Sequence, residues 1–199
     1  MIIGLTGQSG AGKSTVSGVF ESKGFSIIDC DSIARNTARN SAFLNELSER
    51  FSQDLLNPDG SLNRQATADL IYNDAQAREK YQRVIFPYII YEIIQEIKEM
   101  GGIVVLDAPT LFEAGLDIIC DRIVAVTADT ELCVIRIAER DKIAEQKARE
   151  RLSSQYSAEF FKEKSNYCIE NNSTSADLSE NAARVVDKIK GELWKSDSK

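Results

Sequence analysis

The chain has 199 residues, 43% hydrophobic and 28% charged, the balance of an ordinary globular protein long enough to bury a sizeable core. Its 24 basic and 31 acidic residues give a net charge of −7, which argues against a nucleic-acid surface as its main business; the lack of any histidine excludes imidazole acid–base catalysis, histidine metal sites and Ser-His-Asp hydrolysis. Four cysteines, Cys30, Cys120, Cys133 and Cys168, form no CxxC pair, so reduced thiols in the cytoplasm are expected rather than a zinc site or a disulfide framework.

Met1-Ile2-Ile3-Gly4-Leu5-Thr6 reads as a short buried strand that starts with the chain and leaves no room for a signal peptide. It runs into Gly7-Gln8-Ser9-Gly10-Ala11-Gly12-Lys13-Ser14, which fits the phosphate-loop pattern of Gly, four residues, Gly-Lys, then Ser or Thr. Gly7 and Gly12 let successive N–H groups turn inward around phosphate oxygens. Lys13 supplies a mobile charge for the β- and γ-phosphates, and the Ser14 hydroxyl suits Mg²⁺. Val16, Val19 and Phe20 fall at helical spacing beyond Thr15, so the flanks read strand, glycine loop, helix, whose positive end faces the same anion. Nucleoside triphosphate binding is the expectation.

Lys23-Gly24 ends that helix, and Phe25-Ser26-Ile27-Ile28 is a second strand running into Asp29-Cys30-Asp31. Ligands of open α/β sheets bind beyond the carboxyl ends of strands, which makes these acids candidates for chemistry. Asp31 also precedes the amphipathic Ile33-Ala34-Arg35, so capping and catalysis both stay open for it. Cys30, between two acids, is expected to stay a thiol and to be inert.

From about residue 32 to 100 strand character is lost. Leu44, Leu47 and Phe51 at i, i+3, i+7 predict a helix begun by Ser41, and Asn57-Pro58-Asp59-Gly60 predicts a turn. Helical runs follow at about Gln65–Tyr72 and Ala75–Met100; Pro87 is expected to break or kink the second near Phe86, and Gly101-Gly102 closes it. The apolar stretch from Val84 to Ile94 contains Pro87 and Glu92 and is too short to span a membrane. Such a helical block between strands reads as an inserted substrate-binding subdomain.

Ile103-Val104-Val105-Leu106-Asp107 is the third strand, its terminal acid either in the Mg²⁺ shell or bonded to nearby backbone. Arg122-Ile123-Val124-Ala125-Val126 is a fourth, apolar enough for a parallel sheet covered on both faces. Arg136 and Arg140 share a helix face, and a mixed basic-acidic run continues through Lys142, Lys147, Arg149 and Arg151 to Ser154. Such a run is either a solvated face or a mobile lid carrying cations to a phosphoryl group. Tyr167-Cys168-Ile169-Glu170 predicts a fifth strand. A closing amphipathic helix carries Leu178, Ala182, Val185, Val186, Ile189 and Leu193 on one face, with Trp194 as packing.

These motifs together resemble one family, dephospho-CoA kinase, over nearly the whole chain. The resemblance is carried by Gly4-Leu5-Thr6-Gly7 with the phosphate loop, Ile28-Asp29-Cys30-Asp31, Asp59-Gly60-Ser61-Leu62-Asn63-Arg64, Pro109-Thr110-Leu111-Phe112-Glu113, Arg136 to Asp141, Arg151-Leu152 with Gln155, and Ile169-Glu170-Asn171. It implies transfer of the ATP γ-phosphate to the 3′-hydroxyl of dephospho-CoA, with Mg²⁺, by an α/β phosphate-loop kinase. The expected fold is a five-stranded parallel sheet flanked by helices, with core 1–31, 102–138 and 156–199, a helical CoA-binding insertion at 32–101 and a lid at 139–155. The resemblance assigns Asp31 as acceptor of the ribose proton and Lys13 and Arg140 as stabilisers of the transferring group. Gly7 through Thr15, Arg136 and Asn171 fall to the nucleotide, Arg64, Phe86 and Glu113 to the acceptor, and Ser14 and Asp107 to the metal. A monomer or weak homo-oligomer is expected, with no nucleic-acid or membrane partner.

The chain departs from the family in having Phe86-Pro87 where His-Pro is usual and Thr110 where Leu is usual. An altered acceptor site with retained activity is the expectation. The rival readings are another phosphate-loop small-molecule kinase and a non-catalytic ATP-binding module. Asp59 to Arg64 and Phe112-Glu113 oppose the first, and intact Lys13, Ser14, Asp31 and Arg140 oppose the second. No Asn-Lys-x-Asp guanine motif is present.

Overall fold

Strand β1 (Ile2–Gly7) forms where a β-branched and apolar run is buried along almost its whole length. In the computed structural model, which describes residues 1–51 and 55–196, four further strands join it: β2 (Ser26–Asp29), β3 (Val104–Asp107), β4 (Arg122–Thr127) and β5 (Tyr167–Glu170). Their order is β2-β3-β1-β4-β5, with β1 in the centre. β1 runs parallel to β3, with Leu5 beside Asp107, and parallel to β4, with Gly7 beside Val126. The chain thus goes to one side of β1 after the first strand and to the other side after the third. The carboxyl end of β1 is therefore the switch point where such sheets open a crevice for ligands.

Helices α1 (Lys13–Ser22), α6 (Thr130–Asp141), α7 (Glu145–Ser153), α8 (Ala158–Lys164) and α9 (Ser175–Ser196) belong to the same compact unit, made of residues 1–28 and 101 onward. Phe20, Val134, Ile137, Leu152, Leu178 and Val186 bring α1, α6, α7 and α9 into one core with Leu5, Val105, Val124 and Ile169 of the strands. The basic-acidic run beyond Arg140 is not one helix. Lys142 takes a left-handed conformation (φ 53) and ends α6, and α7 restarts with Ala148 and Leu152 buried. The expected face of α9 buries Leu178, Ala182, Val186 and Ile189; the side chains of Leu193 and Trp194 lie outside the described residues.

Residues 29–100 form a second unit of helices α2 (Cys30–Thr37), α3 (Ser41–Arg50), α4 (Arg64–Asn73) and α5 (Ala75–Met100). Its helix starts carry side-chain caps: Asn40 accepts from the Ala42 and Phe43 N–H groups, and Asn63 accepts from that of Ala66. The predicted turn closes with Gly60 N–H donating to the Asn57 carbonyl at 2.8 Å, while the Asp59 carboxylate accepts from Ser61 N–H. Phe43 anchors the small core, its ring edge-on to Tyr81 and Tyr88.

Two open readings are narrowed here: α5 does not break at Pro87, and Asp31 does not cap α2. Helix α5 is continuous through Pro87. Proline removes one N–H from the ladder, but Val84, Ile85, Ile89 and Ile93 are buried on both sides of it, and that packing holds the turns that a lone bond would not. Capping of α2 falls to Asp29, whose carboxylate accepts from Ser32 N–H at 2.9 Å. Asp31 sits inside the first turn and is not the cap.

Candidate active site

The loop between β1 and α1 is shaped by two glycines. Gly7 has φ +145, and a Cβ there would fall 2.1 Å from the Val126 carbonyl oxygen. Gly12 has φ +100, and its Cβ would meet the Asn171 amide nitrogen at 2.7 Å. Any side chain at either point would push the loop off its neighbours. The N–H groups of Gln8, Ser9 and Ala11 are already bonded, to the Val126 carbonyl, the Gln155 side chain and the Gln8 carbonyl. Those of Gly10, Gly12, Lys13 and Ser14 have no intramolecular partner among the described residues. These open donors, at the start of a ten-residue helix, make a ready cradle for an anion. The Lys13 ammonium lies against the Asp107 carboxylate at the end of the neighbouring strand, both mostly withdrawn from solvent.

Three side chains hold this loop from behind. Asn171, 6% exposed, donates to the Ala11 carbonyl at 2.8 Å, while its own N–H is fixed to the Thr127 carbonyl. Arg136 donates to the carbonyls of Gly10 (3.3 Å) and Asn171 (3.1 Å). Gln155, one residue past the cap of α7, both accepts from Ser9 N–H at 3.0 Å and donates to the Ser9 hydroxyl at 2.9 Å. Gln8 is buried, with its Oε1 lacking a partner among the described residues. Ser14 is exposed at the mouth and Thr15 follows it in the first turn of α1.

Arg140 points elsewhere in this structure. Its guanidinium forms a two-pronged contact with Asp141 (2.8 and 3.0 Å), and Arg151 of α7 donates to the same carboxylate at 2.7 Å. The Arg140 partnership holds the Asp141 carboxyl below its ordinary range. One acid therefore carries two arginines, an arrangement a phosphate could take over.

In the helical unit Asp31 and Arg64 line one cavity of about 330 Å³, together with Arg35, Tyr81 and Ile85. Arg64 also lines an adjoining cavity of about 380 Å³ with Arg39, Asp59 and Ser61. Phe86 is half-buried on α5. Three guanidinium groups and two acids around two adjoining hollows suit an anionic ligand with a hydroxyl to offer.

Glu113 follows Phe112, whose ring packs against Phe160 and Phe161 of α8. Its Oε2 is buried without a hydrogen-bond partner among the described residues, and burial pushes its carboxyl above the ordinary glutamate range, a rise only partly offset by its own backbone N–H. A raised folded value means ionisation is disfavoured in the fold. The cost is absent below the ordinary range and complete above the folded value. Glu113→Gln is accordingly expected to melt higher than the parent at pH 7 to 8, with the difference closing as the pH falls towards 4. A melting series across that range checks it; a gap of constant size at all pH values would contradict the burial account.

Gln155 and Asp141 are functional candidates that pattern reading did not single out. Gln155 stands in the quoted Arg151-Leu152…Gln155 stretch, but nothing in one-dimensional spacing says that it reaches back 146 residues to Ser9. For Asp141 the available signal was its place beside Arg140.

The sequence and the fold have counterparts among known proteins. A family model described as dephospho-CoA kinase matches residues 1–177. A dephospho-CoA kinase from Fusobacterium nucleatum is 36% identical over 191 residues, covering 95% of this chain and 98% of that protein. Among solved structures, TT1252 from Thermus thermophilus superposes with a TM-score of 0.82 at 26% identity, covering 97% of each chain. A dephospho-CoA kinase from Campylobacter jejuni gives 0.68 at 25% identity, covering 96% of this chain and 98% of that one.

Proposed function

The chain belongs to the dephospho-CoA kinase family, and we propose that it transfers the γ-phosphoryl group of ATP to the 3′-hydroxyl of dephospho-CoA, releasing coenzyme A and ADP. The observation that carries this reading is the open cradle of N–H groups at Gly10, Gly12, Lys13 and Ser14 beside the paired Lys13 and Asp107. Such a cradle holds a polyphosphate and leaves its terminal group to be transferred.

Asp31 takes the proton of the ribose hydroxyl as its oxygen attacks the γ-phosphorus, the bond from that phosphorus to the bridging oxygen breaks, and ADP leaves with the electron pair. Lys13 follows the charge that develops on the bridging and terminal oxygens. Arg140, at the end of α6, leaves the Asp141 carboxylate for the transferring group. Arg136 and Asn171 act through the loop, holding the Gly10, Ala11 and Asn171 carbonyls so that the N–H groups face the phosphates. On the acceptor side, Arg35, Arg39 and Arg64 line the two cavities and suit the diphosphate of dephospho-CoA; the family resemblance adds Phe86 and Glu113 to the acceptor set.

The Ser14 hydroxyl and the Asp107 carboxylate are hard oxygen donors that fit Mg²⁺, and no group of three ligating acids, cysteines or histidines stands among the described residues. Held there, Mg²⁺ would neutralise charge on the β- and γ-phosphates. Among the described residues no helix is long and apolar enough to cross a membrane.

The test is ADP release from Mg-ATP with dephospho-CoA, adenosine or a nucleoside monophosphate as acceptor. ADP formed with dephospho-CoA alone is the expected result. Turnover with either of the others and not with dephospho-CoA would assign the fold to a different small-molecule acceptor, and ATP binding with no turnover on any of them would make the chain a non-catalytic module.

A further inference from the structure

The phosphate loop has an outer rim as well as a cradle, and that rim is held by one side chain from a distant part of the sequence. Ser9 is the third residue of the loop. Its N–H donates to Gln155 Oε1 at 3.0 Å and its hydroxyl accepts from Gln155 Nε2 at 2.9 Å. A backbone N–H can only donate, so the amide oxygen must be the atom facing it, and the orientation of the Gln155 side chain is fixed by chemistry. Gln155 is itself half-buried and seated by its N–H on the Leu152 carbonyl at 3.1 Å, while Leu152 is 6% exposed in the main core. The clasp therefore ties the foot of α7 to the loop through a rooted residue.

We propose that Gln155 is a positioning residue for nucleotide binding. It occupies the Ser9 N–H and hydroxyl and so sets the loop's outer rim, leaving the N–H groups of Gly10, Gly12, Lys13 and Ser14 turned to the ligand. Arg136 and Asn171 reach the carbonyls of Gly10 and Ala11, and no other described side chain is hydrogen-bonded to the Ser9 N–H or hydroxyl. Without Gln155 the rim must find new partners each time ATP binds, and that ordering cost falls on affinity rather than on the chemical step.

The inference rests on the kinase reading only through ATP, and its test separates the two. Mg-ATP is titrated calorimetrically into the full-length protein and into Gln155→Ala, Ser9→Ala and the double variant, with turnover and melting temperature measured in parallel. Gln155→Met keeps the length of the side chain and serves if the alanine variant folds poorly. Two hydrogen bonds predict about a tenfold weaker Kd for Gln155→Ala, with kcat within about twofold, and one bond about threefold for Ser9→Ala. Because both act on one contact, the double variant should stay near tenfold; about thirtyfold would mean independent action and overturn the proposal. So would a Gln155→Ala or Gln155→Met protein that melts lower yet binds Mg-ATP as the parent does. A parent that binds Mg-ATP but fails to phosphorylate dephospho-CoA would sink the kinase reading and leave this one standing.

Discussion

Asp31→Asn is expected to lower turnover with dephospho-CoA by about 10²–10⁴-fold, the usual contribution of a positioned proton acceptor, while Mg-ATP binds as before. Asparagine keeps the size of the side chain and can still hydrogen-bond the ribose hydroxyl, but it cannot take the proton. The structure supplies the contrast that gives the experiment force. Two residues upstream, Asp29 caps α2 through Ser32 N–H and pairs loosely with Arg35 at 3.5 Å. Asp29→Ala should therefore lose about 1 kcal/mol of stability, as caps do, and keep most of its turnover. Asp31→Asn should show the reverse in turnover, losing it where Asp29→Ala keeps it. Single-turnover ADP formation and a thermal melt on each variant separate the roles; Asp31→Asn turning over within about tenfold of the parent would move the proton acceptor elsewhere.

The outcome for these two acids shows where sequence legibility ends. Strand, glycine loop and helix were readable because hydrophobic period and glycine spacing are local, and Gly7 and Gly12 have the φ values the motif demands. All five strands were readable for the same reason: each is an apolar run ended by a polar or turn residue. Choosing between Asp29 and Asp31 as the cap was not, because the choice turns on one residue of helix onset, where Asp29 has extended backbone at φ −78 and ψ 95. Helix α8 escaped notice because its signal is short, a Ser157 cap on Phe160 N–H and two aromatic residues, and its stability comes from packing on the distant ring of Phe112. Pro87 misleads because its lost N–H is visible in the sequence, while the burial of its neighbours on both sides, which outweighs that loss, is a property of the packed unit. The cluster of Arg140, Asp141 and Arg151 was half legible: the charges were visible, but sharing of one carboxylate depends on Lys142 turning the chain back in the left-handed region.

Lys13→Met should remove turnover about 10³-fold or more, since a cation aimed at developing charge in a water-poor site is among the largest single contributions to catalysis. Its second effect can be read from the free protein. Lys13 lies against Asp107, with side-chain exposures of 18% and 16%, so methionine strands a mostly withdrawn carboxylate with no countercharge. Stripping one partner from a fully buried pair costs about 3–5 kcal/mol, and the residual exposure here brings the expectation down to about 1–2 kcal/mol. Asp107→Asn on its own removes the charge but leaves the ammonium without its partner. The double variant removes both, and should recover most of the stability lost by Lys13→Met. It should recover none of the turnover, because the phosphates still lack their lysine. Melting temperature and ADP release on the three variants test both halves. If the double variant melts no higher than Lys13→Met, the stranded Asp107 carboxylate is not the source of the lost stability. If Lys13→Met turns over near the parent rate, the lysine is not on the path of the phosphoryl group.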